Sequence, residues 1–167
     1  MKNQTLHDLF LTKLHVLLDV EEEIIKALPK MAKQATTKEL TDGFEEHLNE
    51  TKTHAERLKQ ALEILGEKPK KVKSEAIRGL VKDAEWIMKN VERGDALDAN
   101  LIAGAQYVEH YEMAGYGTAV AWAKTMGHNE VMELLKETLE EEKSMDKKLT
   151  ELATSTINDN ANEAGIA

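Results

Sequence analysis

Apolar side chains recur at three- and four-residue steps over five stretches of the chain, which predicts five helices, and strand signals are missing throughout. The first helix is expected from about residue 5 to residue 33, with Leu6, Leu9, Phe10, Leu14, Leu17, Ile24, Ile25 and Leu28 on one stripe. Pro29 should kink or weaken its last turn rather than end it, because Leu28 and Met31 continue the pattern. A second helix, from about residue 38 to 65, opens at the capping candidates Thr36 and Thr37 and closes at Gly66, with Pro69 beyond. Its stripe of Leu40, Phe44, His47, Thr51, His54, Leu58, Ala61 and Leu65 turns polar at mid-helix.

Residues 66–73 read as a linker. Ser74 then caps a shorter helix to about residue 93, with Ile77, Leu80, Val81, Ala84, Ile87, Met88 and Val91 on one face and Gly94 at its end. A fourth helix, from about 95 to 124, aligns Leu101, Ala105, Glu109, Glu112, Tyr116, Ala119 and Ala123. After the turn at Met126, Gly127 and His128, a fifth from about 129 to 153 aligns Val131, Leu135, Thr138, Glu142, Met145, Leu149 and Leu152. The four long helices form two pairs with short loops, hence antiparallel, joined by a long connection that holds the short helix. The expected fold is all-α: a four-helix bundle over residues 1–153 with one long crossover containing a fifth, shorter helix. Residues 154–167 are small, polar and unpatterned, and are expected to form a mobile tail.

Four acids break these stripes. Glu21 lies four residues after Leu17 and three before Ile24, so it points inward with them. Glu109 and Glu142 are central in their stripes, and Glu50 sits beside its own, between His47 and His54. A buried carboxylate neutralises itself, pairs with a cation or binds a metal. One such acid is accounted for as a rim residue or half of an inter-helix salt bridge. Four near mid-helix on four helices, at matching depth for a rise of about 1.5 Å per residue, point to a metal pair bridged by carboxylates. Further candidate ligands are His54, one turn beyond Glu50; Asp146, one turn beyond Glu142; and Glu112, three residues after Glu109, with His47 as an alternative. Tyr116, two turns from Glu109, reads as core filling or as a redox-active neighbour of the metal.

Composition narrows the chemistry. With no cysteine among 167 residues, only histidine and carboxylate ligands remain, which selects iron, manganese or zinc. A formal charge of −9 argues against electrostatic binding to nucleic acid or an anionic membrane. The polar, amphipathic N-terminal stretch and the short apolar runs lead to the expectation of a soluble cytoplasmic protein.

Several segments carry a family resemblance: Ala27-Leu28-Pro29-Lys30-Met31, Phe44-Glu45-Glu46-His47-Leu48 through Glu50-Thr51, Val108-Glu109-His110-Tyr111-Glu112 with Tyr116-Gly117, and Glu137-Thr138-Leu139-Glu140-Glu141-Glu142-Lys143. Over residues 5–153 the chain resembles ferritin-like stress-response proteins of the YciE/YciF type. The resemblance implies a ferritin-like bundle with two iron ions, manganese or zinc being the alternatives, and a homodimer. Carried over position by position, the ligand candidates are again Glu21, Glu50, Glu109 and Glu142. The ferritin-like Glu followed three residues later by His would need histidine at 53 and 145, where this chain has Thr53 and Met145.

The expected function is therefore that of a di-metal carboxylate protein in oxidative or general stress response, with oxygen or peroxide as partners and a possible oxidase or peroxide-consuming activity. Two other readings compete with it. One is a metal-free helical interaction module, in which Lys13, Lys26 and Lys52 are available to pair with acids. The other is a manganese enzyme of catalase type.

Overall fold

The computed structural model describes residues 5–163. Five long helices follow one another: α1 (Leu6–Gln34), α2 (Lys38–Ile64), α3 (Glu75–Asn90), α4 (Asp95–Met126) and α5 (Asn129–Leu152). Thr5 opens α1 with a capping box, its hydroxyl accepting the Asp8 N–H while the Asp8 carboxylate accepts the Thr5 N–H, each at 3.1 Å. Pro29 is exposed and α1 runs through it to Gln34, since water can satisfy the carbonyl that the missing N–H leaves free. Gly127, in the left-handed region at φ 76°, closes α4.

Helices α1 and α2 pair, as do α4 and α5, and the two hairpins meet through α1 against α4 and α2 against α5. Both cross-hairpin contacts are antiparallel. Glu46 pairs with Lys148 and Arg57 with Glu137 and Glu141 across α2 and α5, while Thr36 and Thr37 meet Asp98, and Glu21 meets Tyr116, across α1 and α4. Fully buried Asp98 accepts from the amides and hydroxyls of both threonines. The Thr37 hydroxyl is thereby drawn away from capping α2. Helix α3 runs along the outside of α1 and α4, fastened by Arg78 to Asp19 at 2.6 Å and by Lys30 to Glu85 at 2.8 Å. Two antiparallel hairpins with a helical crossover make this the ferritin-like arrangement that the resemblance implies.

The segment from Thr154, expected to be mobile, is helical as far as it is described. A wider π-helical stretch (Ala153–Ile157) continues into α6 (Asn158–Glu163), because Ile157 buries its side chain against the core. No helix among the described residues is long and apolar enough to cross a membrane.

Two apolar clusters fill the bundle. One gathers Val20, Ile24 and Leu28 with Phe44, Leu101, Ala105, Met145 and Leu149. The other gathers Leu14, Leu17 and Leu18 with Ala55, Leu58, Tyr116, Ala119, Leu135 and Leu139. On the bundle helices the buried members of the two clusters leave a gap at the same level. In α2 it spans 45–54, in α4 106–115 and in α5 140–144, with Glu21 in α1 beside the break between Leu18 and Val20.

Candidate metal centre

Six polar side chains fill that gap: Glu21 from α1, His47 and His54 from α2, Glu109 and Glu112 from α4, and Glu142 from α5. None is more than 2% exposed. Their spacing explains the convergence. Histidines seven residues apart lie two turns apart on one face of α2, and glutamates three apart share one face of α4.

Their donor atoms form two overlapping groups, each with atoms mutually within 4.8 Å: His47, Glu109, Glu112 and Glu142 in one, Glu21, His54 and Glu142 in the other. Glu142 belongs to both. Of the eight buried side-chain nitrogen and oxygen atoms without a hydrogen-bond partner among the described residues, seven belong to these six residues. Both Glu142 oxygens are among them, as a carboxylate bridging two cations requires. Native interiors leave few polar atoms unpaired, so such a concentration marks a set of donors that could hold a metal ion.

The histidines show how the ligand would be met. His54 Nε2 lies 2.8 Å from the half-exposed Glu141 carboxylate, while Nδ1 faces Glu142 Oε1 at 2.9 Å and Glu21 Oε2 at 3.8 Å outside hydrogen-bonding geometry. His47 repeats the layout with its nitrogens exchanged. Its Nδ1 contacts Glu50 at 3.4 Å, and Nε2 faces Glu109 at 3.2 Å. An outer carboxylate that takes one ring N–H leaves the other nitrogen's lone pair aimed inward, the usual support of a metal-binding histidine. Tyr116 donates its hydroxyl to Glu21 Oε1, leaving Oε2 free.

Electrostatics agrees with the geometry. Burial, then the Glu142 charge, pushes Glu21 up to about 8. Burial raises Glu109 to about 7 against the pull of His47, and burial with Glu142 and Glu21 lifts Glu112 well above the carboxylate range. Burial alone would lower both histidines, but Glu109 and Glu50 hold His47 well above its ordinary value, and Glu142 and Glu21 raise His54. With these shifts the six groups share protons among them up to about neutral pH. Two divalent cations balance four carboxylates and two neutral imidazoles without them.

Of the residues expected from the sequence, the structure brings together Glu21, His54, Glu109, Glu112 and Glu142, with His47, the alternative ligand, among them. Glu50 and Asp146 stand apart. The α2 stripe runs through His47, Thr51 and His54, which turns Glu50 to the rim with its side chain 39% exposed. On α5, Met145 and Leu149 take the inward positions. Asp146 instead faces α4, receiving Gln106 at 3.0 Å and lying 3.3 Å from His110. Glu141, which reads as part of a solvated acidic run, is the outer partner of His54, and only the packing of α2 against α5 reveals it.

The comparisons with known proteins agree on a family and a fold. A family model described as a domain of unknown function, DUF892, matches residues 5–162. Protein YciF of Escherichia coli (strain K12) is 40% identical over 162 residues, 96% of this chain and 98% of that protein. The crystal structure of that relative, described as a stress protein, superposes with a TM-score of 0.89 over 95% of this chain and 99% of the other. The structure of YcfI from Rhodopseudomonas palustris, 44% identical, gives 0.85 over 89% and 95% of the two chains.

Proposed function

The chain belongs to the DUF892 family, and from that premise and the geometry we propose that it is a di-metal carboxylate protein. It holds two iron ions and acts in oxidative or general stress defence, reacting with oxygen or peroxide, as a cytoplasmic homodimer. The observation that carries the metal is the layer of seven unpartnered donor atoms on four helices. The stress role rests on the relationship to a protein described as a stress protein. His47, Glu109, Glu112 and Glu142 would hold one ion, and Glu21, His54 and Glu142 the other. Bound iron supplies a Lewis-acidic, redox-active centre. The chain's residues orient the donors through Glu50, Glu141 and Tyr116, and the two apolar clusters exclude bulk water.

Anaerobic titration of chelator-treated protein with ferrous iron tests this reading. Binding should saturate at about two equivalents per chain, release protons and tighten from about pH 6 to about pH 8, because the ligands must lose their protons. The carboxyls that set this window are Glu109 near 7 and Glu21 near 8. Absence of binding, or binding without proton release, contradicts it.

A further inference from the structure

Beside the polar layer lies a cavity of about 30 Å³ between α1, α3 and α4. Its outer wall is Leu80, Val81 and Ala84 of α3, and at its inner end stand His47 and Glu109. Between these, Gly104 and Ala105 of α4 complete a wall that is otherwise aliphatic. Gly104 is informative because neither backbone nor packing requires it. It lies inside α4 without positive φ, and a Cβ there would meet no atom within 4 Å. Glycine inside a helix is unfavourable relative to alanine, and here its effect is to leave space open. Helix α3 is a light cover, since Ile77 is its one buried side chain. The pairs Arg78 with Asp19 and Glu85 with Lys30 fasten it on either side of Leu80, Val81 and Ala84.

We propose that this cavity is the binding and entry site for dioxygen at the metal centre, an inference that rests on the di-metal reading above. A void of this size, aliphatic except at its inner end, has room for a diatomic gas or a noble-gas atom and gives a hydrated ion too few partners to replace its water. Dioxygen, apolar and small, suits the aliphatic walls; hydrogen peroxide would leave its hydrogen-bonding groups unmet along them, with partners only at the inner end. The cavity ends on a ligand of each kind, a histidine and a carboxylate with unpartnered atoms. A molecule resting there therefore adjoins the layer without crossing the bulk of the bundle.

Crystals of the metal-loaded protein pressurised with xenon should show a xenon atom between Val81, Gly104 and Ala105. Gly104→Val should abolish it, with Ala84→Val on the α3 wall as a second filling should valine at 104 disturb α4. In solution, a filled variant that still carries two irons should oxidise ferrous iron several-fold more slowly with dioxygen, and at an unchanged rate with hydrogen peroxide. An empty cavity in metal-loaded protein, or an unchanged rate with dioxygen, overturns the inference. Protein that takes up no metal overturns the di-metal reading, and the inference with it, whatever xenon shows.

Discussion

Replacing Glu142 by alanine is expected to lower bound metal from about two ions per chain to at most one, with the helical circular dichroism unchanged. Glu142 is shared by both donor groups, and neither of its oxygens has a hydrogen-bond partner among the described residues. Its loss removes the bridge and leaves two incomplete sets, one of three residues and one of only Glu21 and His54. The bundle should survive because the substitution relieves like-charge repulsion: the Glu142 charge raises Glu21 and Glu112 alike. Glu50→Ala should behave differently. Glu50 reaches the centre only through His47, so its removal should weaken binding by about ten- to a hundredfold and keep the stoichiometry. If Glu142→Ala retained both ions, the bridging role would be wrong.

The second large effect is on stability. Metal-free protein should lose stability as pH rises from about 5 to about 8.5, the reverse of its metal-loaded form. Glu21 near 8 and Glu109 near 7 lie above their ordinary value of 4.5. Between those limits the folded chain therefore binds more protons than the unfolded one, and stability falls with increasing pH. The raised histidines act with the same sign, lending stability below their ordinary value that is lost as pH passes their raised one. Asp19, lowered first by its hydrogen bond to Arg78, acts oppositely but only at acid pH. A net change of several kcal/mol, at roughly 2 to 4 °C per kcal/mol, gives a fall in Tm on the order of 10 °C. Ferrous iron should restore Tm most at the alkaline end, because it replaces protons that are then already lost. Melting curves with and without chelator check both signs, and a metal-free protein most stable at pH 8.5 would refute the shared-proton account.

How far the centre can be read from the sequence depends on the helix. In α1, α4 and α5 the inward acids stand in otherwise largely apolar stripes, and Glu21, Glu109, Glu112 and Glu142 all point where the period puts them. Helix α2 is harder. Its polar stretch offers His47, Glu50, Thr51 and His54 within eight residues, and Glu50, beside the stripe at matching depth, reads as a ligand. The stripe phase set by Phe44 and Leu58 instead selects the two histidines. Glu141 and Asp146 cannot be separated by period at all, since their roles depend on which neighbouring helix each flank faces. The helical conformation at the end of the bundle is hidden for a similar reason, because Ile157 lacks an apolar repeat around it and is buried by docking alone.

Anomalous diffraction at the iron edge, from crystals of protein purified without chelator, tests the central claim most directly. Two peaks should appear in the polar layer on either side of Glu142, one against His47, Glu109 and Glu112 and the other against Glu21 and His54. No peak in that layer, or iron bound only at the rim beside Glu50 or Asp146, would contradict it.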